Sequence, residues 1–147
     1  MKKHGIHLFM AVFLAISVLL ACSQNSDKYN NEEGRRKLSQ LGKIMGAKFP
    51  PGSKIVYAES NERNKEAYSY HIIYSPSPAE FNRPPVAKIS SETSIEILKD
   101  VSVTKGLGKL KNKQTFCYEG TVGNGSWSAS QTNFETGSYL RVKQVFL

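Results

Sequence analysis

The sequence predicts an α+β domain, in which an N-terminal amphipathic helix packs on a mostly antiparallel β-sheet ending in a C-terminal three-strand meander. Three observations carry this expectation. Leu38, Leu41, Ile44 and Met45 fall at helical spacing and form one apolar stripe. From Ser53 onward the apolar period changes to two. Near the end of the chain, Gly123-Asn124-Gly125 and Thr136-Gly137 separate three alternating runs, as tight turns do.

Ahead of the domain lies a different kind of segment. Met1-Lys2-Lys3-His4 is a short basic start, and residues 6–21 form an apolar run. A membrane-spanning helix needs roughly 20 apolar residues, so this run is short for a permanent anchor. A basic start followed by an apolar stretch is the pattern of a secretory signal. The run closes on Leu19-Leu20-Ala21-Cys22, and small polar residues follow.

That ending resembles the lipobox of bacterial lipoproteins. The resemblance implies cleavage between Ala21 and Cys22, a diacylglyceryl group on the Cys22 sulfur, and often a third acyl chain on its amino group. Acylation at this position uses the nucleophilicity of a thiolate. Each buried CH₂ contributes about 0.8 kcal/mol, and two chains hold a protein where one does not. With Ser23 rather than Asp after the cysteine, the resemblance implies the outer membrane in a two-membrane cell. In a one-membrane cell it implies the outer face of the cytoplasmic membrane. The competing reading is a plain signal peptide with a chance cysteine, or an uncleaved anchor.

The expected organisation is a signal peptide over residues 1–21, a flexible polar tether over 22–30, and a single domain over 31–147. Loss of 21 residues from 147 leaves 126, enough for one core. The chain has 20 basic and 12 acidic side chains; without Lys2 and Lys3 the balance is 18 − 12 = +6. Such a balance serves solubility, or contact with anionic lipid and envelope polyanions. No nucleic-acid motif is present, and the exported compartment argues against such a partner. With Cys22 acylated, Cys117 stands alone and cannot form an internal disulfide. A free cysteine of this kind usually packs as a small apolar residue; the alternatives are an intermolecular bridge or a reactive thiol.

The helix is expected over residues 31–45, with Asn30 and Glu33 as a capping pair and Gly46 as its stop. An amphipathic helix lying on the bilayer is the alternative use of the same stripe. Residues 54–59 and 66–74 read as a hairpin around a polar turn. In the second strand, Tyr68, Tyr70, Ile72 and Tyr74 share one face. Such a row is either a sheet face covered by a helix or a platform for sugar rings or a partner. His71 is the only histidine outside the leader, and a lone strand histidine is usually structural.

Four prolines between Ser75 and Pro85 forbid a helix or a central strand and predict a long, semi-rigid surface loop. Long loops are often functional, which makes Phe81 and Arg83 candidate partner contacts. A short strand is expected over 86–89, and weak strands over 94–98 and 101–104, where a capped helix fits residues 91–98 as well. Residues 105–113 form a basic glycine loop, yet the P-loop pattern G-x-x-x-x-G-K-[ST] is missing, so no nucleotide site is expected. Strands over 114–122, 126–134 and 139–147 complete the sheet.

The sequence outside the leader has one histidine, one free thiol, and no paired-carboxylate, Ser-His-Asp or metal-ligand spacing. No catalysis, cofactor or metal is expected. The expected role is that of a membrane-anchored envelope protein that binds or supports an envelope protein partner. Its candidate contacts are Phe81, Arg83, Tyr68, Tyr70 and Trp127. The alternative is a small-molecule or lipid-binding domain, with the tyrosine face and Trp127 lining one pocket. A third reading, thiol redox chemistry, requires an exposed Cys117 of low pKa.

Overall fold

The computed structural model describes residues 30–61, 67–90 and 109–146, without the side chains of 112 and 113. The leader, Cys22, the turn at 62–65, the weak strands at 94–104 and the first part of the basic glycine loop lie outside the described residues.

Helix α1 spans Glu32–Met45. Its cap is Asn31, not Asn30: the Asn31 side chain accepts the Gly34 N–H at 2.9 Å. The two adjacent asparagines are chemically equivalent as caps. Backbone geometry chooses between them, since the cap must be extended and reach the third helical residue. Glu32 and Glu33 sit at the positive end and Lys43 at the negative end, each favourable to the helix dipole. Gly46 ends the helix at φ 62°, and its N–H reaches the Gly42 carbonyl. A side chain there would be strained and would collide with Asn82.

Eight strands follow among the described residues: β1 (Ala47–Lys48), β2 (Lys54–Asn61), β3 (Ala67–Ser75), β4 (Glu80–Phe81), β5 (Ala87–Ser90), β6 (Leu110–Val122), β7 (Gly125–Phe134) and β8 (Gly137–Phe146). Six of them form one antiparallel sheet in the order β2-β3-β8-β7-β6-β5. The last strand is therefore interior. It joins the β2–β3 hairpin to the β6–β7–β8 meander by pairing Ile73 with Leu140 and His71 with Val142. Strands β1 and β4 form a separate two-stranded ladder.

Three local expectations are corrected. The β6–β7 turn is Gly123-Asn124, closed by Val122 opposite Gly125, so positive φ falls on Gly123 at 55° and not on the Asn-Gly pair. Positive φ at the first central residue alone is the type II′ arrangement. Strand β6 begins at Leu110, so residues 110–113 belong to the sheet instead of a loop. The proline stretch is not simply a surface loop. It contains β4, and Ala79 is buried because Gln131 of β7 grips its backbone: Ala79 N–H donates to Gln131 Oε1 at 3.0 Å, and Gln131 Nε2 donates to Ala79 O at 3.4 Å.

A bulge in β2 sets which side chains face inward. Ile55 lies opposite Ile73, but Tyr57 lies opposite Ile72, so Val56 is the extra residue. Ile55 thus faces inward and Tyr57 outward, although they are two apart. Leu41 and Met45 of α1 belong to one buried cluster with Ile55, Ile73, Tyr118, Trp127, Ala129, Leu140 and Val142 of the sheet. Burying each large apolar side chain contributes about 2 kcal/mol. Tyr68, Tyr70 and Tyr74 alternate with these inward residues and take the opposite, outer face.

Candidate functional site

The alternation of strand side chains divides the sequence-predicted contacts into two sets. Trp127 lies opposite Gln144, which lies opposite Ser69. Tyr70 lies opposite Lys143, which lies opposite Ser128. One residue of offset places Trp127 inward and Tyr70 outward. Among the described residues, the tyrosine row and Trp127 therefore lie on opposite faces of the sheet.

On the outer face, the hydroxyls of Tyr57 and Tyr68 both donate to Glu59, at 2.9 and 3.0 Å. Lys143 Nζ stands 5.8 Å from the Tyr68 ring centroid, and Tyr57 meets Tyr70 edge-on at 6.0 Å. Burial raises the Tyr70 hydroxyl pKa, against the lowering influence of Arg141. Cys117 occupies the same face, half-buried; burial pushes its thiol pKa up. That is the opposite of the low-pKa thiolate that redox chemistry requires.

On the inner face, the proposed loop contacts are engaged within the domain. Phe81 stacks on Tyr118 with centroids 3.7 Å apart and rings 6° from parallel. Arg83 donates to the Glu119 carbonyl at 3.1 Å, and its guanidinium carbon lies 5.2 Å from the centre of the Trp127 ring. Trp127 itself is 2 % exposed, with its indole N–H unpartnered among the described residues. Phe81, Arg83 and Trp127 hold the proline segment against the sheet. An aromatic and a cation in a proline loop carry no local sign of what they pack on; Arg83 nevertheless remains exposed and Phe81 half-buried.

An open groove of about 790 Å³ lies on α1, between that helix and the segments carrying β1 and β4. Its apolar lining includes Leu38, Phe49, Pro50, Pro51 and Phe81. Gly42 sets the floor: a Cβ there would stand 2.9 Å from the Ala47 carbonyl oxygen and 3.5 Å from the Phe49 ring. Arg35, Lys43 and Lys48 supply three cations, against the single carboxylate of Glu80. None of these cations is held in an ion pair among the described residues. Volumes of this order suit a ligand or an extended peptide. Sequence reasoning did not assemble this groove. Its one sequence signal is the second stripe of the helix, Arg35, Ser39, Gly42, Lys43 and Gly46, where small residues alternate with cations.

Among the described residues, no group of three or more His, Cys, Asp and Glu side chains is gathered to hold a metal ion. No helix among them is long and apolar enough to cross a membrane. No family model, curated protein or solved structure matches the chain.

Proposed function

We propose that this protein is a lipid-anchored envelope protein that binds a partner through the groove on α1. In this reading residues 1–21 are a cleaved signal and Cys22 carries the lipid. Residues 22–30 are a tether to a single α+β domain, whose amphipathic helix packs on the sheet. The role is binding or structural support, without catalysis, cofactor or metal. The location is the outer membrane, or the outer face of the cytoplasmic membrane in a one-membrane cell.

Leu19-Leu20-Ala21-Cys22 after an apolar run supports the anchor. The observation that carries the binding role is the groove, whose three cations have no acidic partner on its own walls beyond Glu80. The helix cap at Asn31 lies nine residues after Cys22, a reach of at most about 30 Å. A lipid on Cys22 keeps the groove beside the membrane, where membrane-bound partners are concentrated.

Growth with an alkyne-bearing fatty acid tests the anchor. The wild-type protein is expected to take up the label and Cys22→Ser to take up none. An unlabelled wild type, or a labelled Cys22→Ser, contradicts the assignment.

A further inference from the structure

We propose that the α1 groove receives an extended acidic segment of a partner protein, with two carboxylates on one side of the strand and an apolar residue between them. This rests on the binding role proposed above and specifies the chemistry of the partner.

The spacing of charge along the groove carries the inference. Arg35 and Lys43 both line it and are eight residues apart on one helix. At 1.5 Å per residue their backbone positions differ by about 12 Å along the axis. Leu38 and Gly42 lie between them, and Phe49 packs across Gly42. The groove therefore presents a cation, an apolar floor and a second cation in a row; Lys48 of β1 adds a third cation but lies opposite the Glu80 carboxylate of β4, so the helix pair Arg35 and Lys43 carries the recognition.

An extended chain has the matching period. Residues i, i+2 and i+4 of a strand point the same way, and i to i+4 spans about 13 Å. The pattern Glu-x-Leu-x-Glu places carboxylates at the two cations and leucine over Leu38 and Phe49. An anionic bilayer also presents several charges, but its headgroups carry no apolar group between them, whereas the groove sets Leu38 and Phe49 between its two helix cations. Charge and apolar complementarity together therefore favour the peptide over the lipid.

The test uses the lipidated protein extracted in neutral detergent, with fluorescein-labelled Ser-Glu-Ser-Leu-Ser-Glu-Ser as the probe and Ser-Lys-Ser-Leu-Ser-Lys-Ser as its control. Fluorescence anisotropy is expected to show saturable binding of the acidic peptide alone, weakening with added salt. Reversing both charges, Arg35→Glu with Lys43→Glu, is expected to reduce affinity at least about tenfold. Lys48→Glu, outside the helix, weakens binding in the same direction and keeps the test valid should the helix variant misfold.

Equal binding by the reversed variants overturns the proposal, as does equal binding of the lysine peptide. So does binding only to phosphatidylglycerol vesicles, which would make the groove a lipid site. A protein that carries lipid but binds no acidic peptide refutes this inference and leaves the envelope assignment intact. A full-length, unlipidated chain refutes that assignment whatever the peptide does.

Discussion

Trp127→Ala is expected to destabilise the domain by about 4 kcal/mol, the cost of removing a buried indole and leaving a cavity. The ring is 2 % exposed and lies on Gly120, where an added Cβ would come within 2.7 Å of it. Gly120 has no side chain with which to refill the space. Arg83, whose guanidinium faces the ring, would lose the surface beneath it. Trp127→Phe provides the contrast. It keeps most of the apolar contact and removes an indole N–H that has no partner among the described residues, so its expected cost is only about 1 kcal/mol. Urea unfolding followed by far-UV circular dichroism measures both. This is the only tryptophan in the chain, so wild-type emission also reports the site and should be blue-shifted and resistant to quenching. A loss below about 1 kcal/mol for the alanine variant would place the ring outside the core.

The second large effect is acid sensitivity through His71. Its side chain is 1 % exposed on the inner face, between Ala58 of β2 and Val142 of β8, and neither ring nitrogen has a hydrogen-bond partner among the described residues. Burial, and then the Lys37 cation on α1, lower its pKa from 6.5 to about 4. Between those two values the unfolded chain binds the proton and the folded chain does not. Stability therefore falls as pH drops from about 6.5 toward 4 and levels off below it. Lys37 is exposed, so its share is screened by solvent; the loss is roughly 2–3 kcal/mol. His71→Leu keeps the volume and removes the titration. Unfolding free energies between pH 7 and 5 should decline for the wild type and stay nearly level for His71→Leu. Parallel declines in the two proteins would assign the acid sensitivity to other groups.

Local pattern made the helix and most strand positions legible. The stripe Leu38, Leu41, Ile44 and Met45 marks α1, and Gly46 ends it because the reversed backbone there suits only glycine. The alternation of Trp127, Ala129, Gln131 and Asn133 against Ser128 and Ser130 is reproduced in β7, with the first set buried, but Thr132 is buried as well. What local pattern could not show is non-local. Pairing of β3 with β8 joins residues some 70 positions apart, and nothing near Ile73 or Leu140 announces it. The extra residue at Val56 reverses the facing of Tyr57 without any local turn signal.

The candidate site follows the same rule. Tyr68 and Tyr70 occupy one face as their spacing implies, but their spacing does not say which face is buried; Leu41, Met45, Ile55 and Ile73 belong to one buried cluster that no local pattern announces. Phe81 and Arg83 sit in the segment that sequence singled out. Their partners Tyr118 and Trp127 are on distant strands, so local sequence shows none of this packing, although Arg83 stays exposed and the half-buried Phe81 also lines the groove. The groove is assembled from Arg35 to Asn82, and its charge spacing emerges only when helix, β1 and β4 are brought together.

The central claim is a binding domain held at the membrane through Cys22, and the intact mass of the membrane-extracted protein tests it most directly. The expected wild-type mass is that of the chain beginning at Cys22 plus its acyl groups, while Cys22→Ala keeps residues 1–21 and gains no lipid. A wild-type mass equal to the unmodified full-length chain would contradict the account, and compartment, cysteine state and partner class would all change with it.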